Sequence, residues 1–262
     1  MAILERNDKN SVAYILLNSP ETLNSLSDEM LAALTNEFES LRSDTKIRAV
    51  VLSGAGKAFC AGHNLKEMTR GRNAKDGGKS YFLDLFERCA KMMMLIQKLP
   101  QPVIAKVHGI ATAAGCQLVA TCDLAVAEQS TKFGVNGVNI GLFCSTPMVA
   151  LSRNIPRKQA FEMLTTGEFI GAEQAKTLGL VNRVTGLDDF DKQTEELAEI
   201  IASKLGAAVK IGKEAFYKQL EMPISEAYKY TGQVMAENMM LRQTEKGIEA
   251  FLNKLEPAWE QD

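Results

Sequence analysis

Two short segments hold the residue types that could grip a developing negative charge. Residues 58–68 read Ala-Phe-Cys-Ala-Gly-His-Asn-Leu-Lys-Glu-Met, and residues 108–117 read His-Gly-Ile-Ala-Thr-Ala-Ala-Gly-Cys-Gln. Each follows a strand-like run, passes through small residues and enters a helical pattern. Small residues at such a turn let backbone approach a ligand closely, and the first N–H groups of a helix lack internal partners. One N–H from each turn, aimed at a common point, would make an oxyanion hole. The same residues would also suit plain tight packing of helix on sheet, and spacing alone leaves both readings open. Neither turn has the glycine–lysine spacing of a phosphate loop.

Side chains that could move a proton or attack a substrate are few. His63 titrates in the right range, and its imidazole could face either a substrate or the pocket rim. Cys144 and Ser145 follow Gly141-Leu142-Phe143. A thiol there is a nucleophile only with a lowered pKa; otherwise it fills a small buried space. Asn139 can hydrogen-bond but not titrate. Asp123, six residues past Gln117 at the far end of one helix, reads as structural. Cys60, His63, His108 and Cys116 are zinc-ligand types on adjacent turns.

The elements that must position these turns follow from periodicity. Residues 12–17, 49–53, 103–107 and 124–127 are short, apolar and partly β-branched, and predict strands. Residues 27–41 place Leu31, Leu34, Phe38 and Leu41 on one helical face, with Ser27 as the cap and Asp28 and Glu29 in the first turn. Residues 80–99 predict a second helix, stopped by Pro100 and Pro102. Strands alternating with helices mean an α/β fold with crossover connections. From residue 187 strand signals vanish, and helical periodicity runs through 190–205, 209–220, 224–241 and 245–255. The expectation is a core over residues 1–186 and a helical oligomerisation region over 187–262. Its apolar Met235, Met239 and Met240 call for packing on the core or on another subunit. Residues 70–79, basic and glycine-rich, read as a mobile surface loop.

Composition excludes several classes. At 262 residues, 46% hydrophobic and 24% charged, the chain can bury a sizeable core. Thirty Lys and Arg against 32 Asp and Glu leave a net charge of −2, which argues against a dedicated nucleic-acid binder. The longest charge-free run, residues 133–152, could span a bilayer on length. Asn136, Asn139, three glycines and Pro147 instead give it the texture of a loop entering a buried helix, so no membrane partner is expected. Glu5, Arg6, Asp8 and Lys9 stand where a signal peptide needs an apolar stretch. Five cysteines without framework spacing suggest a reducing, cytoplasmic setting.

Taken together, the motifs resemble those of the enoyl-CoA hydratase/isomerase family, the crotonases. The likeness runs through Asn24-Ser25-Leu26, residues 59–68, residues 102–123, Phe133-Gly134, Gly167-Glu168, residues 172–181 and the closing 245–259. It implies ββα turns wound into a spiral core, with C-terminal helices that build a homotrimer or a hexamer of two trimers. It implies that the backbone N–H groups of His63 and Ala114 grip a thioester carbonyl. Ala61, Gly62, His63, Asn64 and Leu65 would hold coenzyme A, with Lys66 near the phosphates and Gly115 in the second turn of the same site. Phe251 and Lys254 match tail positions that reach the CoA of a neighbouring subunit. The coenzyme would enter only as part of an acyl-CoA substrate, and the likeness accounts for both turns without a separate cofactor or a metal.

The pattern breaks at two positions. Hydratases of the family carry two glutamates, one holding water and the other delivering a proton to the α-carbon. Here those positions hold Gln117 and Gly137. Glutamine exchanges no proton near neutral pH, and glycine has no side chain. The expected protein is hydratase-like, stabilising a thioester enolate without either glutamate. A malonyl-type acyl-CoA decarboxylase and a catalytically silent acyl-CoA binder or assembly partner are the alternatives.

Overall fold

The computed structural model describes residues 2–259. Its strands are β1 (Leu4–Lys9), β2 (Val12–Leu17), β3 (Ala49–Gly54), β4 (Val103–Val107), β5 (Ile110–Thr112), β6 (Leu124–Glu128), β7 (Lys132–Gly134), β8 (Ile170–Gly171) and β9 (Arg183–Thr185). The helices are α1 (Asp28–Leu41), α2 (Leu65–Gly71), α3 (Lys79–Lys98), α4 (Ala114–Thr121), α5 (Pro147–Asn154), α6 (Arg157–Thr166) and α7 (Ala172–Leu178), followed by α8 (Leu187–Ala202), α9 (Gly206–Gln219), α10 (Ile224–Met239) and α11 (Arg242–Leu252).

Six strands form one sheet in the order β1-β2-β3-β4-β6-β9, and β5-β7-β8 form a second, smaller one. All pairs in the large sheet are parallel except β1 with β2. Period-two alternation decides its two faces. Ala13, Ile15, Leu17, Val50, Leu52, Ala105 and Ala127 face the main core with α1 and α3. Val12, Ala49, Val51, Ile104 and Val126 face the other way and pack on Phe190, Ala198 and Ala202 of α8. The helical region after residue 187 therefore begins with a helix that seals the sheet. Ser27 caps α1 as its type predicts, its Oγ accepting from Met30 N–H at 3.1 Å. The 70–79 segment is more ordered in its bonding than its composition suggests. Two of its residues close α2, and Asp76 accepts from the N–H groups of Gly78 and Ser80 at the start of α3.

One buried ion pair ties α9 to the sheet. Lys213 Nζ donates to Asp123 Oδ2 at 2.6 Å and to the carbonyls of Ile96 and Gln101 at 2.8 and 2.9 Å. Tyr217 donates to Asp123 Oδ1, and Asp123 Oδ2 also accepts from Val103 N–H. Burial pushes the Lys213 pKa down, while the carboxylate beside it pulls the other way. Lys213→Met should leave Asp123 buried without its cation, costing about 3–5 kcal/mol. Urea denaturation checks this: a midpoint within error of the parent's would show that the pair does not hold α9.

Candidate active site

The two glycine-containing turns lie side by side. Phe59 N–H donates to His108 O, Cys60 N–H to Ile110 O at 3.2 Å, and Thr112 N–H to Cys60 O at 3.0 Å. The first turn is thus laced to β5, the strand that feeds the second. Gly62 takes φ +85, and a Cβ there would lie 3.0 Å from Ala114 N and from Thr112 O. A Cβ on Gly115 would lie 2.1 Å from the Cys60 carbonyl oxygen. At 115 the two backbones come too close for any side chain, and at 62 a left-handed backbone with little room beside it favours glycine.

Each turn leaves N–H groups without a backbone acceptor, among them those of His63 in the first and Ala114 in the second. Ala113, at φ 51 and ψ −120, holds a conformation rare for a residue with a side chain. Its own N–H donates to Gly134 O, and its carbonyl accepts from Gln117 N–H at 3.1 Å. A trans peptide sets C=O and N–H antiparallel, so the Ala114 N–H points out of the N-terminus of α4, beside Gly62. Leu26 N–H donates to Gly62 O at 2.7 Å, and the same geometry sends the His63 N–H the opposite way. No acceptor for that His63 N–H occurs among the described residues.

The positions singled out for proton transfer hold no free acid or base. The His63 imidazole packs edge-on to Phe86 at 5.6 Å between ring centroids, and both ring nitrogens are buried without a hydrogen-bond partner. Burial pushes its pKa down and favours the neutral ring. Nitrogens closed off in this way serve packing, and a substrate proton cannot reach them in this conformation. Gln117 is buried at 5% exposure, and its Oε1 has no donor. Gly137 sits where its Cβ would lie 2.3 Å from the Leu142 carbonyl oxygen and 2.8 Å from Cys144 Sγ. Burial raises the thiol of Cys144 and pushes Cys60 and Cys116 up to about 12, so all three stay protonated at neutral pH.

The other residues singled out by type take separate places. Asn64 caps α2, its Oδ1 accepting from Lys66 and Glu67 N–H, while Lys66 itself is exposed. His108 Nε2 pairs with the Gly56 carbonyl at 2.8 Å, and no three His, Cys, Asp or Glu among the described residues are placed to hold a metal ion. Asn139 reaches toward Gly167 O, and Asp123 belongs to the α9 anchor. Phe251 stands 80% exposed on α11, which packs on α10, and Lys254 follows with φ 56. Sequence reasoning missed Glu67, whose Oε2 accepts from Asp28 N–H and so joins α2 to the start of α1. An acid two residues into a helix carries no signal of a partner so far along the chain.

The chain resembles known proteins along nearly its whole length. The sequence profile described as Enoyl-CoA hydratase/isomerase matches residues 7–262. The mitochondrial enoyl-CoA hydratase domain-containing protein 3 of Xenopus laevis is 43% identical over 251 residues, covering 96% of this chain and 84% of the relative. A solved enoyl-CoA hydratase of Mycobacterium smegmatis is 53% identical with a TM-score of 0.94, covering 98% of each chain. The solved human enoyl-CoA hydratase domain-containing protein 3 is 42% identical with a TM-score of 0.93, covering 98% of this chain and all of that one. The cytoplasmic expectation is overturned, since these curated vertebrate relatives are named as mitochondrial proteins. Free buried cysteines cannot separate one reducing compartment from another.

Proposed function

Since the chain belongs to the enoyl-CoA hydratase/isomerase family, with the crotonase fold, we propose that it binds an acyl-CoA thioester and stabilises its enolate between the N–H groups of His63 and Ala114. One observation carries this reading: two unpaired backbone N–H groups stand on adjacent turns that only glycine at 62 and 115 lets approach. Fixed dipoles of this kind stabilise charge as it develops on the carbonyl oxygen. Ala61, Gly62, Asn64, Leu65 and Lys66 edge the same turn and would seat the coenzyme, with Gly115 behind them. The chemistry then falls to steps that need an enolate but no carboxylate base on the protein. Loss of CO₂ from a malonyl-type thioester is such a step: the C–C bond breaks, its electron pair becomes the enolate, and solvent water returns a proton to the α-carbon. Steady-state assays on crotonyl-CoA and CO₂ release from malonyl-CoA distinguish the two activities. Thioester binding with neither activity would leave the silent binder.

The assembly proposed is a homotrimer, alone or doubled. Phe216, Ile224, Tyr228, Met235, Met239 and Met240 are all more than half exposed on α9, α10 and the residue that follows. So continuous an apolar face is unusual on a monomer. Phe251 and Lys254 project from the same tail, where they would meet a neighbour's CoA. Sedimentation at micromolar concentration should show no monomer of 28.7 kDa; a stable one would overturn the assembly.

A further inference from the structure

The turn that offers the His63 N–H is held from outside, by the loop that follows β2. Residues 19–26 there contain two consecutive left-handed residues, Leu23 at φ 56 and Asn24 at φ 53. For a residue with a side chain this conformation is strained, least for Asn and more for Leu. Such strain persists only where surrounding bonds over-determine it.

The bonds in question centre on the Asn24 side chain, which is fully buried. Its Oδ1 accepts from Ser19 N–H at 2.9 Å, which closes its own loop. Its Nδ2 donates to the carbonyls of Ala55 and Ala58, both at 2.8 Å, on the segment that leads into the first turn. On either side of Asn24 the backbone completes the grip. Leu23 O accepts from Ala61 N–H at 3.0 Å, and Leu26 N–H donates to Gly62 O at 2.7 Å. The last bond fixes the peptide plane that carries the His63 N–H.

We infer that Asn24 is a positioning residue: its amide sets the 58–63 turn so that the His63 N–H is aimed before any thioester arrives. The inference rests on the oxyanion reading above and names the group that pre-organises it. A buried amide can do this where a carboxylate cannot, because both of its protons face carbonyl oxygens. An aspartate there would keep the Ser19 bond and set an acceptor against two acceptors.

Asn24→Gly gives the cleanest test. Glycine takes the left-handed backbone without strain, so only the amide is lost. The readout is the infrared carbonyl stretch of carbonyl-labelled acetyl-CoA bound to the intact protein, which falls as the carbonyl is polarised. The unaltered protein should show a downshift, and Asn24→Gly and Asn24→Asp should lose most of it. Tyr217→Phe, which weakens the distant α9 anchor, should melt earlier and keep the downshift in full. A full downshift in Asn24→Gly, or an equal loss in Tyr217→Phe, would reduce Asn24 to a structural residue. No downshift in the unaltered protein would instead overturn the oxyanion reading, and this inference with it.

Discussion

Crotonyl-CoA should be hydrated by this protein about 10⁴-fold or more slowly than by a two-glutamate enzyme, since each missing acid–base group removes a factor of about 10²–10⁴. The proposed carbonyl grip would survive the loss because it would be built from backbone, from the N–H groups of His63 and Ala114, which no side chain at 117 or 137 supplies. What is gone is proton delivery. Gln117 presents an amide, Gly137 presents nothing, and the thiols nearby stay protonated. Gln117→Glu should raise the rate, since α4 already holds the position and the new carboxyl replaces a group of equal size. Gly137→Glu should add nothing further. Its Cβ would fall 2.3 Å from the Leu142 carbonyl oxygen, and Leu142 N–H already donates to Gly137 O, so the 137–142 turn has no room to yield. A steady-state assay on protein freed of host hydratase decides the matter. A turnover of about 10² s⁻¹ or more, ordinary for a competent enzyme, would show that another side chain does the glutamates' work.

Much of the fold was legible because burial imprints period. The 27–41 helix, its Ser27 cap and the four apolar strand runs stand in the sequence as they stand in the structure. β1 did not, because Leu4–Lys9 is an edge strand whose residues are mostly exposed and charged, and its pairing with β2 comes from backbone alone. β5, β7, β8 and β9 span two or three residues each, too few to show alternation. The two turns were legible through their small residues, and the likeness to the family supplied which N–H groups to propose. The place of the His63 ring was not legible, since nothing near residue 63 foretells Phe86, which comes from α3. Nor was the obstruction at Gly137, which depends on a carbonyl five residues later folding back on it.

Gly115→Ala should abolish measurable affinity for acetyl-CoA while α8 to α11 remain folded. The added methyl carbon would sit 2.1 Å from the Cys60 carbonyl oxygen and 2.9 Å from Cys60 Cβ, well inside contact distance. Neither side can give cheaply. Cys60 is bonded through its N–H to Ile110 and through its carbonyl to Thr112, and Gly115 lies in the first turn of a wholly buried helix. Overpacking of this kind costs about 1–3 kcal/mol, which a domain of this size can survive. The binding geometry cannot survive it, because relief must push the two turns apart by something on the order of 1 Å, enough to take one N–H out of hydrogen-bond range of a carbonyl oxygen held by the other. Gly62→Ala should act in the same direction, its Cβ meeting Ala114 N at 3.0 Å on a left-handed backbone. Gly186→Ala is the matched control: its φ is −66 and nothing lies within 4 Å of the new carbon. Titration calorimetry on the three variants, with far-UV circular dichroism to confirm folding, reads the result. Unchanged affinity in folded Gly115→Ala would move the thioester away from these turns. Equal loss in Gly186→Ala would show that affinity follows general stability instead of the contact between them.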